Sequence, residues 1–335
     1  MKRHLLRLAI DVFFGAYIAT IIDRVVIPRV VFDNVISVFD LPHQAFVIAL
    51  ALILGVLGSV SSASVGRLIL DGSVCGAWQR AVAMNVAWLG FTLTLLAGWV
   101  ITGISPSALF NGQGLEGAGR IFKALFTPNA DIIGAALLAM VETIYLAFMA
   151  TAIAVPFSFA LSFFAARNLM DHGAIPRAVY VAIRFVTNFT RSIEPLIWAI
   201  IFSVWVGIGP FAGMLALVVH TISSLTKQYS EQIEDVDTGP MEAISATGAS
   251  RTQIVWFSVV PQCVIPFLSF TIYRWDINVR MATVIGLVGG GGIGTMLIQY
   301  QGLAQWREVG TIVILIALVV WIMDVISARI REALK

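Results

Sequence analysis

Apolar residues in this chain do not alternate with polar ones. They run together in blocks of about 16 residues or more, separated by short charged stretches. A helix needs roughly 20 mostly apolar residues to cross the hydrocarbon core of a bilayer. Eight blocks approach that length, at about 8–23, 45–65, 81–104, 137–166, 194–209, 211–227, 260–279 and 307–328. They predict an all-α, polytopic membrane helix bundle of about eight spans. The first block is the weakest, because Asp11, Asp23 and Arg24 crowd it. Met1-Lys2-Arg3 followed by an apolar run has the outline of a signal peptide. Asp11 breaks that run, however, and no small-x-small site precedes a soluble domain, so the block reads as a retained span. Residues 25–39 extend it or lie at the membrane interface.

Two connecting segments are amphipathic. Residues 119–136 mix basic and large apolar side chains and pass through Pro128; they read as an interfacial elbow leading into the fourth span. Residues 175–191 place Arg177, Arg184 and Arg191 seven apart, near two helical turns, so the three share one face. They predict a surface helix on the cytoplasmic side running into the fifth span.

Composition agrees with a membrane protein. The chain has 335 residues, 59% hydrophobic and 12% charged, with a mean hydropathy of +0.92, whereas soluble domains carry about 25% charged residues. A net charge of +2 gives no reason to expect a nucleic-acid partner. Cys75 and Cys263 sit in or beside apolar blocks with no CxxC or Cys/His cluster, so neither a metal site nor a disulfide framework is indicated. Lys and Arg divide fourteen to seven between the two sides of an eight-span topology. The positive-inside rule then puts both termini and the 228–259 loop in the cytoplasm.

That loop carries Glu231, Glu234, Asp235, Asp237, Glu242 and Arg251 and belongs in water. Thr238-Gly239-Pro240 signals a turn; Pro240 suits the first turn of a helix, and Glu242 complements its positive end. The residues predict a short helix over Met241–Ala246, a bend at Gly248, and a second helix over about Ser250–Val259. Pro261 then starts the next span. On spacing alone this is equally an ordinary helix-turn-helix loop.

Glu242-Ala243, Gly248 and Pro261 also match, in spacing, the cytoplasmic signature of permeases of small bacterial ABC importers, with Ile244, Ser258 and Val260 as departures. Further stretches resemble the phosphonate-importer permeases: Ala165-Ala166-Arg167-Asn168, Gly207–Gly213, His220-Thr221-Ile222, Glu231–Asp237, Ala246–Arg251, Tyr273–Arg280 and Gly286–Gly294. Arg191-Ser192-Ile193-Glu194-Pro195 departs from the pattern, where Pro is expected before Glu. The similarity covers about 120–335, so the chain is expected to divide into an N-terminal extension of about three spans (1–110) and a permease core of about five (111–335).

The resemblance implies an inner-membrane permease working with a second copy of itself, a cytoplasmic ABC ATPase dimer and a periplasmic substrate-binding protein. In that reading Glu242, Ala243, Gly248, Ala249, Arg251 and Pro261 form the coupling element to the ATPase. ATP is hydrolysed by the partner subunit, and this chain needs no cofactor of its own. The cargo is a phosphonate or related phosphorus oxyanion. Other solutes, such as methionine or a sulfonate, are the alternative within the class, and a self-contained secondary transporter is the alternative outside it.

Other constellations add little. The glycine run Gly289–Gly294 lacks the Lys of a P-loop, as Thr295-Met296 follows, so it reads as a turn or close helix crossing, or as a hinge near the translocation path. Asp276 and Arg280 are four apart and suit an ion pair. Alternatively, Arg274 or Arg280 guides an anion through the membrane, since guanidinium fits phosphonate oxygens. Glu142, His220 and Asp324 face the bundle interior as packing contacts. No nucleophile, carboxylate pair or metal-ligand spacing supports an enzyme.

Overall fold

The computed structural model describes residues 2–21, 41–60, 64–71, 76–103 and 105–334. The expected interfacial segment 25–39 and Cys75 lie outside the described residues. No strand occurs among the described residues, and the chain divides into two units, Met1–Leu115 and Glu116–Lys335.

The first unit contains α1 (Lys2–Ile21), α2 (Leu41–Val60), α3 (Val65–Asp71), α4 (Ala77–Ile101) and α5 (Pro106–Leu109). Helices α1 and α2 touch backbone to backbone. A Cβ on Gly15 would lie 2.6 Å from the amide nitrogen of Gly55, and Gly55 in turn faces Val12. Asp11, which seemed to interrupt the first apolar block, is 4% exposed. Its carboxylate accepts from Ser64 Oγ at 2.6 Å and from Gly66 N at 2.8 Å. The acid thus satisfies donors at the start of α3, the arrangement that makes a buried carboxylate tolerable in an apolar helix.

In the second unit, small residues rather than large ones mark the inside. Its elements are α6 (Gly112–Leu125, which begins at the division), a 3-10 turn (Ala130–Ile132), α7 (Ile133–Phe164), α8 (Arg167–Met170), α9 (Ala174–Ser192), α10 (Pro195–Val206), α11 (Pro210–Glu234), α12 (Thr238–Ala246), α13 (Arg251–Ile254), a π turn (Val255–Val259), α14 (Val260–Gly286), α15 (Gly292–Gly302) and α16 (Trp306–Ala333). Along α7 the buried positions are Ala136, Met140, Thr143, Ala147, Ala150, Thr151, Ala154, Ser158 and Ser162. Leu137, Leu138, Val141, Tyr145, Phe148 and Phe157 are exposed on its other face. Water would drive the large apolar side chains inward. Lipid does not, and close approach of backbones is then what holds helices together.

Helix α11 lies at the centre, packed by α7, α9, α10 and α14. Its buried set includes Thr221, Ser223, Ser224, Thr226 and Ser230 beside Ala216 and Leu217. A helix enclosed by other helices need not be apolar, and this one is too polar to qualify as a span on composition. Among the described residues, four helices are long and apolar enough to cross a membrane: Ala77–Ile101, Ala130–Phe164, Arg251–Gly286 and Trp306–Ala333. A fifth is α9 with α10 if that pair, bent by 92°, counts as one. Pro195 opens α10 at the bend, and its 12 residues reach only about 18 Å, short of a bilayer core. The expected elbow before α7 docks on α16: Thr311 Oγ1 accepts from Asn129 N at 2.8 Å, and Asn129 Nδ2 donates to Glu308 at 3.1 Å.

Two boundaries differ from expectation. Helix α11 runs on to Glu234, so the acidic turn through Glu231 belongs to a helix end rather than to a loop. The second loop helix and the seventh span form one continuous helix, Arg251–Gly286. Pro261 does not interrupt it, because the π turn just before opens the ladder where proline lacks its donor.

The glycine run makes a tight corner. Gly289, Gly291 and Gly292 have φ of +87°, +84° and +66°, a region costly for residues with a Cβ. Gly213 packs on the carbonyl of Gly290, Gly291 on Pro210, and Gly286 on Gly294. Ile293 N donates to Thr143 Oγ1 at 2.8 Å and Gly292 N to Glu142 at 3.3 Å, which ties α15 to α7. Gly286→Ala would place a methyl 2.7 Å from the Gly291 carbonyl. It is expected to destabilise the purified chain by about 1–3 kcal/mol, read as a lower thermal midpoint by circular dichroism. Gly134→Ala, which meets nothing within 4 Å, is the control and should be neutral or slightly stabilising.

Candidate functional site

The residues singled out for coupling cluster on α12 and its flanks. Asp237 caps α12, its carboxylate accepting from Gly239 N at 3.0 Å. The same residue is held from α14: Gln262 Oε1 accepts from Asp237 N at 3.0 Å while Gln262 Nε2 donates to the Ser258 carbonyl at 3.1 Å. Met241 turns inward onto a cluster of Leu225, Tyr229, Ile233, Val259, Cys263 and Phe267. Glu242 and Ala243 point the other way and are exposed, and Glu242 forms no ion pair among the described residues.

Gly248 closes α12. Its φ is +82°, its N–H bonds the Ser245 carbonyl at 3.0 Å, and nothing lies within 4 Å of where a Cβ would stand. Backbone conformation alone therefore selects glycine here. Ser250 and Gln253 form a capping box that starts α13, with Ser250 N donating to Gln253 Oε1 at 2.7 Å. Arg251 is the first residue of α13 and exposed, Ala249 is half-buried, and Pro261 is exposed in the first turn of α14. Beneath α12 lies a hollow of about 790 Å³ lined by Phe159, Phe163, Met241, Ala249 and Trp256 among others.

An ion-pair knot fixes the neighbouring helix ends. Glu234 Oε1 accepts from Arg184 Nη2 at 2.6 Å and from Arg167 N at 2.7 Å. Arg184 Nε also donates to the Ala165 carbonyl at 2.8 Å, and Asn168 Nδ2 to the Ile233 carbonyl at 2.7 Å. The ends of α7, α8 and α11 and the middle of α9 are thus joined through one carboxylate and Arg184. Of the three arginines expected on one face of α9, Arg184 is the one committed to this knot. Asp237, Gln262 and Glu234 were not among the expected site residues. The Asp237-x-x-Pro240 spacing could have marked the cap, but nothing local marks Gln262.

The two intramembrane arginines have opposite surroundings. Arg274 stands midway along α14, is 8% exposed, and donates through Nη2 to Ser224 Oγ at 2.7 Å. Arg280 lies within α14, since the helix extends to Gly286 rather than ending near residue 279. It ion-pairs with Asp276 one turn back and with Asp324 of α16 at 2.9 Å. Between them Asn278, 1% exposed, donates to Thr151 and Thr221, each at 2.9 Å, joining α14 to α7 and α11. Among the described residues, no group of three His, Cys, Asp or Glu could hold a metal ion.

Comparison with known proteins places this arrangement. The family model for the binding-protein-dependent transport system inner membrane component matches residues 159–335, from the second half of α7 through the coupling region to the last helix. The chain belongs to this family. As a member of it, this permease is the membrane component of an ABC importer and leaves ATP hydrolysis to other subunits. It is 34% identical over 267 residues to the phosphite transport system permease protein PtxC of Stutzerimonas stutzeri, covering 80% of this chain and 94% of that one. It is 30% identical over 274 residues to the phosphate-import permease protein PhnE of Mycolicibacterium smegmatis, covering 81% of this chain and 50% of that one. The inward-facing MetNI methionine ABC transporter shares the fold, with a TM-score of 0.54 at 21% identity over 62% of this chain and 99% of the matched chain.

The Asn278 amide gives this permease a measurable joint. Asn278→Leu is expected to cost about 1–2 kcal/mol of stability, in the range of interhelical hydrogen bonds in membranes. A double-mutant cycle with Thr221→Val in detergent denaturation should return a coupling energy near 1 kcal/mol. Strict additivity of the two substitutions would show that the contact contributes nothing.

Proposed function

We propose that this permease carries a phosphorus oxyanion, phosphite or a phosphonate, into the cytoplasm, driven through α12 by a cytoplasmic ABC ATPase. The names of its relatives support the cargo: PtxC is a phosphite permease, and a 119-residue stretch of this chain is 40% identical to the putative cryptic phosphonate transport system permease protein PhnE2 of Escherichia coli. Support for the coupling role comes from α12 itself. It presents Glu242 and Ala243 outward, is tied to α14 through Asp237 and Gln262, and ends at a glycine with left-handed φ. A short exposed helix rigidly fastened to a long membrane helix is the form a mechanical input requires.

In this reading two copies of the permease sit on an ATPase dimer, and a periplasmic binding protein delivers the anion. Glu242, Ala243, Gly248, Ala249, Arg251 and Pro261 form the coupling element, and both termini face the cytoplasm. The core begins near residue 111 and α11 counts as one of its spans, the polar helix sheltered by its neighbours. Residues 1–110 form an extension outside that core, built on the α1–α2 contact.

The test is uptake of phosphite and methylphosphonate by proteoliposomes holding the permease alone or with its ATPase and binding protein. Transport only with all components, and only with ATP, is the expected result. Gradient-driven uptake by the permease alone would overturn it. Gly248→Val should leave membrane insertion intact and reduce ATP-driven uptake by about tenfold, since a β-branched residue at that φ costs about 1–2 kcal/mol or more. Unchanged uptake in that variant would remove α12 from the coupling role.

A further inference from the structure

Helix α14 presents two differently charged faces. Residues four apart share a face, so Arg274 and Asn278 look toward α11, whereas Asp276 and Arg280 look toward α16. On the α16 side one guanidinium meets two carboxylates, Asp276 and Asp324, a group with a formal charge of −1 that repels an incoming anion. On the α11 side the balance is reversed. Arg274 forms no ion pair among the described residues, and its Nε is buried without a partner. His220, one turn from Ser224 on α11, also has its buried Nδ1 unpartnered. Arg191, at the end of α9, adds its positive field at both His220 and Arg274.

A guanidinium buried among helices without a counter-charge is costly, and intramembrane arginines are normally paired. Among the described residues the one short contact is to Ser224 inside the bundle, with a long 3.5 Å approach to the His220 carbonyl. The planar fork of Arg274 keeps donors free for two oxygens of one tetrahedral group.

We propose that Arg274 and Ser224 form a seat for one phosphoryl-type oxyanion inside the bundle, and that Arg280 is not part of it. The proposal rests on the reading of this permease as an oxyanion importer and names the residues that meet the cargo in transit. The same chemistry would suit a lipid headgroup phosphate, so the experiment separates the two sources.

The full chain, purified with its ATPase into nanodiscs of zwitterionic lipid, is heated with phosphite, methylphosphonate or chloride at constant ionic strength. Phosphite and methylphosphonate are expected to raise the unfolding midpoint, and chloride is not. Arg274→Gln should abolish the rise. A double variant, Asp276→Asn with Arg280→Gln, removes the buried carboxylate together with its partner, leaves as the remaining charge Asp324, which is exposed, and should keep it. Where Arg274→Gln fails to assemble, Arg274→Lys retains the charge without the fork and should weaken anion binding by about tenfold, the scale of one charge-assisted hydrogen bond. In the transport assay Arg274→Gln should reduce uptake to the same degree or more while ATPase activity stimulated by loaded binding protein stays within about twofold of wild type. A shift that persists in Arg274→Gln, or that disappears in the double variant, would overturn the seat. So would stabilisation by anionic phosphatidylglycerol nanodiscs with no further effect of soluble anion, which would assign the arginine to lipid. Wild-type anion binding without phosphite or methylphosphonate transport would fault the importer reading and leave the seat standing; transport without binding would fault the seat alone.

Discussion

The primary amide of Asn278 is shared by three helices, and the second unit is organised around it. In lipid, apolar side chains gain nothing by turning inward, so α7, α11 and α14 have no hydrophobic reason to associate. What brings them together is close backbone approach along stripes of Ala, Ser and Gly, and what fixes their rotation is hydrogen bonding. Asn278 reaches Thr151 on one side and Thr221 on the other. A small rotation of any of the three helices would leave an amide group unsatisfied in a medium where that is expensive.

From that joint outward, polar groups do the positioning that packing does in a soluble protein. One turn toward residue 251 on α14, Arg274 meets Ser224; at the helix ends, Glu234 gathers Arg184, the Arg167 amide and their neighbours. At the far corner, the glycine run lets α15 approach α14 so closely that the backbone itself forms the contact surface. In the first unit Asp11 acts on the same principle, supplying a carboxylate where the start of α3 needs an acceptor. Many polar side chains in the apolar blocks have a neighbour that accounts for them; Thr226, Ser327 and the polar atoms around Arg274 are among the exceptions.

The sequence was legible wherever the signal was local. The bend at Gly248 and a helix starting near Ser250 could be read from spacing, because they depend on backbone conformation within a few residues. Long apolar helices were equally visible. Helix α11 was harder: its hydroxyls cut its apparent length, and only its enclosure by four neighbours explains why they are tolerated. The Asp237–Gln262 clasp joins residues 25 apart, a separation without periodicity, and no reading of the chain alone could pair them. Arg274 and Arg280 were alternatives for an anion path in sequence, although Arg280 already had Asp276 four residues away. The partner of Arg280 that the chain alone did not reveal is Asp324, which comes from another helix. Pro261 was read as a start, whereas the π turn ahead of it makes the junction continuous.

That continuity bears on the coupling role proposed for α12. From Arg251 to Gly286 the chain is a single rod of 36 residues, about 54 Å long, and α12 is clasped to its lower part rather than hinged on it. The extra residue in the π turn offsets the rod's two segments by about 100° about their common axis. In the coupling role proposed for α12, a lateral push near Ser250 would be carried along this rod to Arg274 and Asn278, and sideways motion below would change which face of α14 meets α11 above.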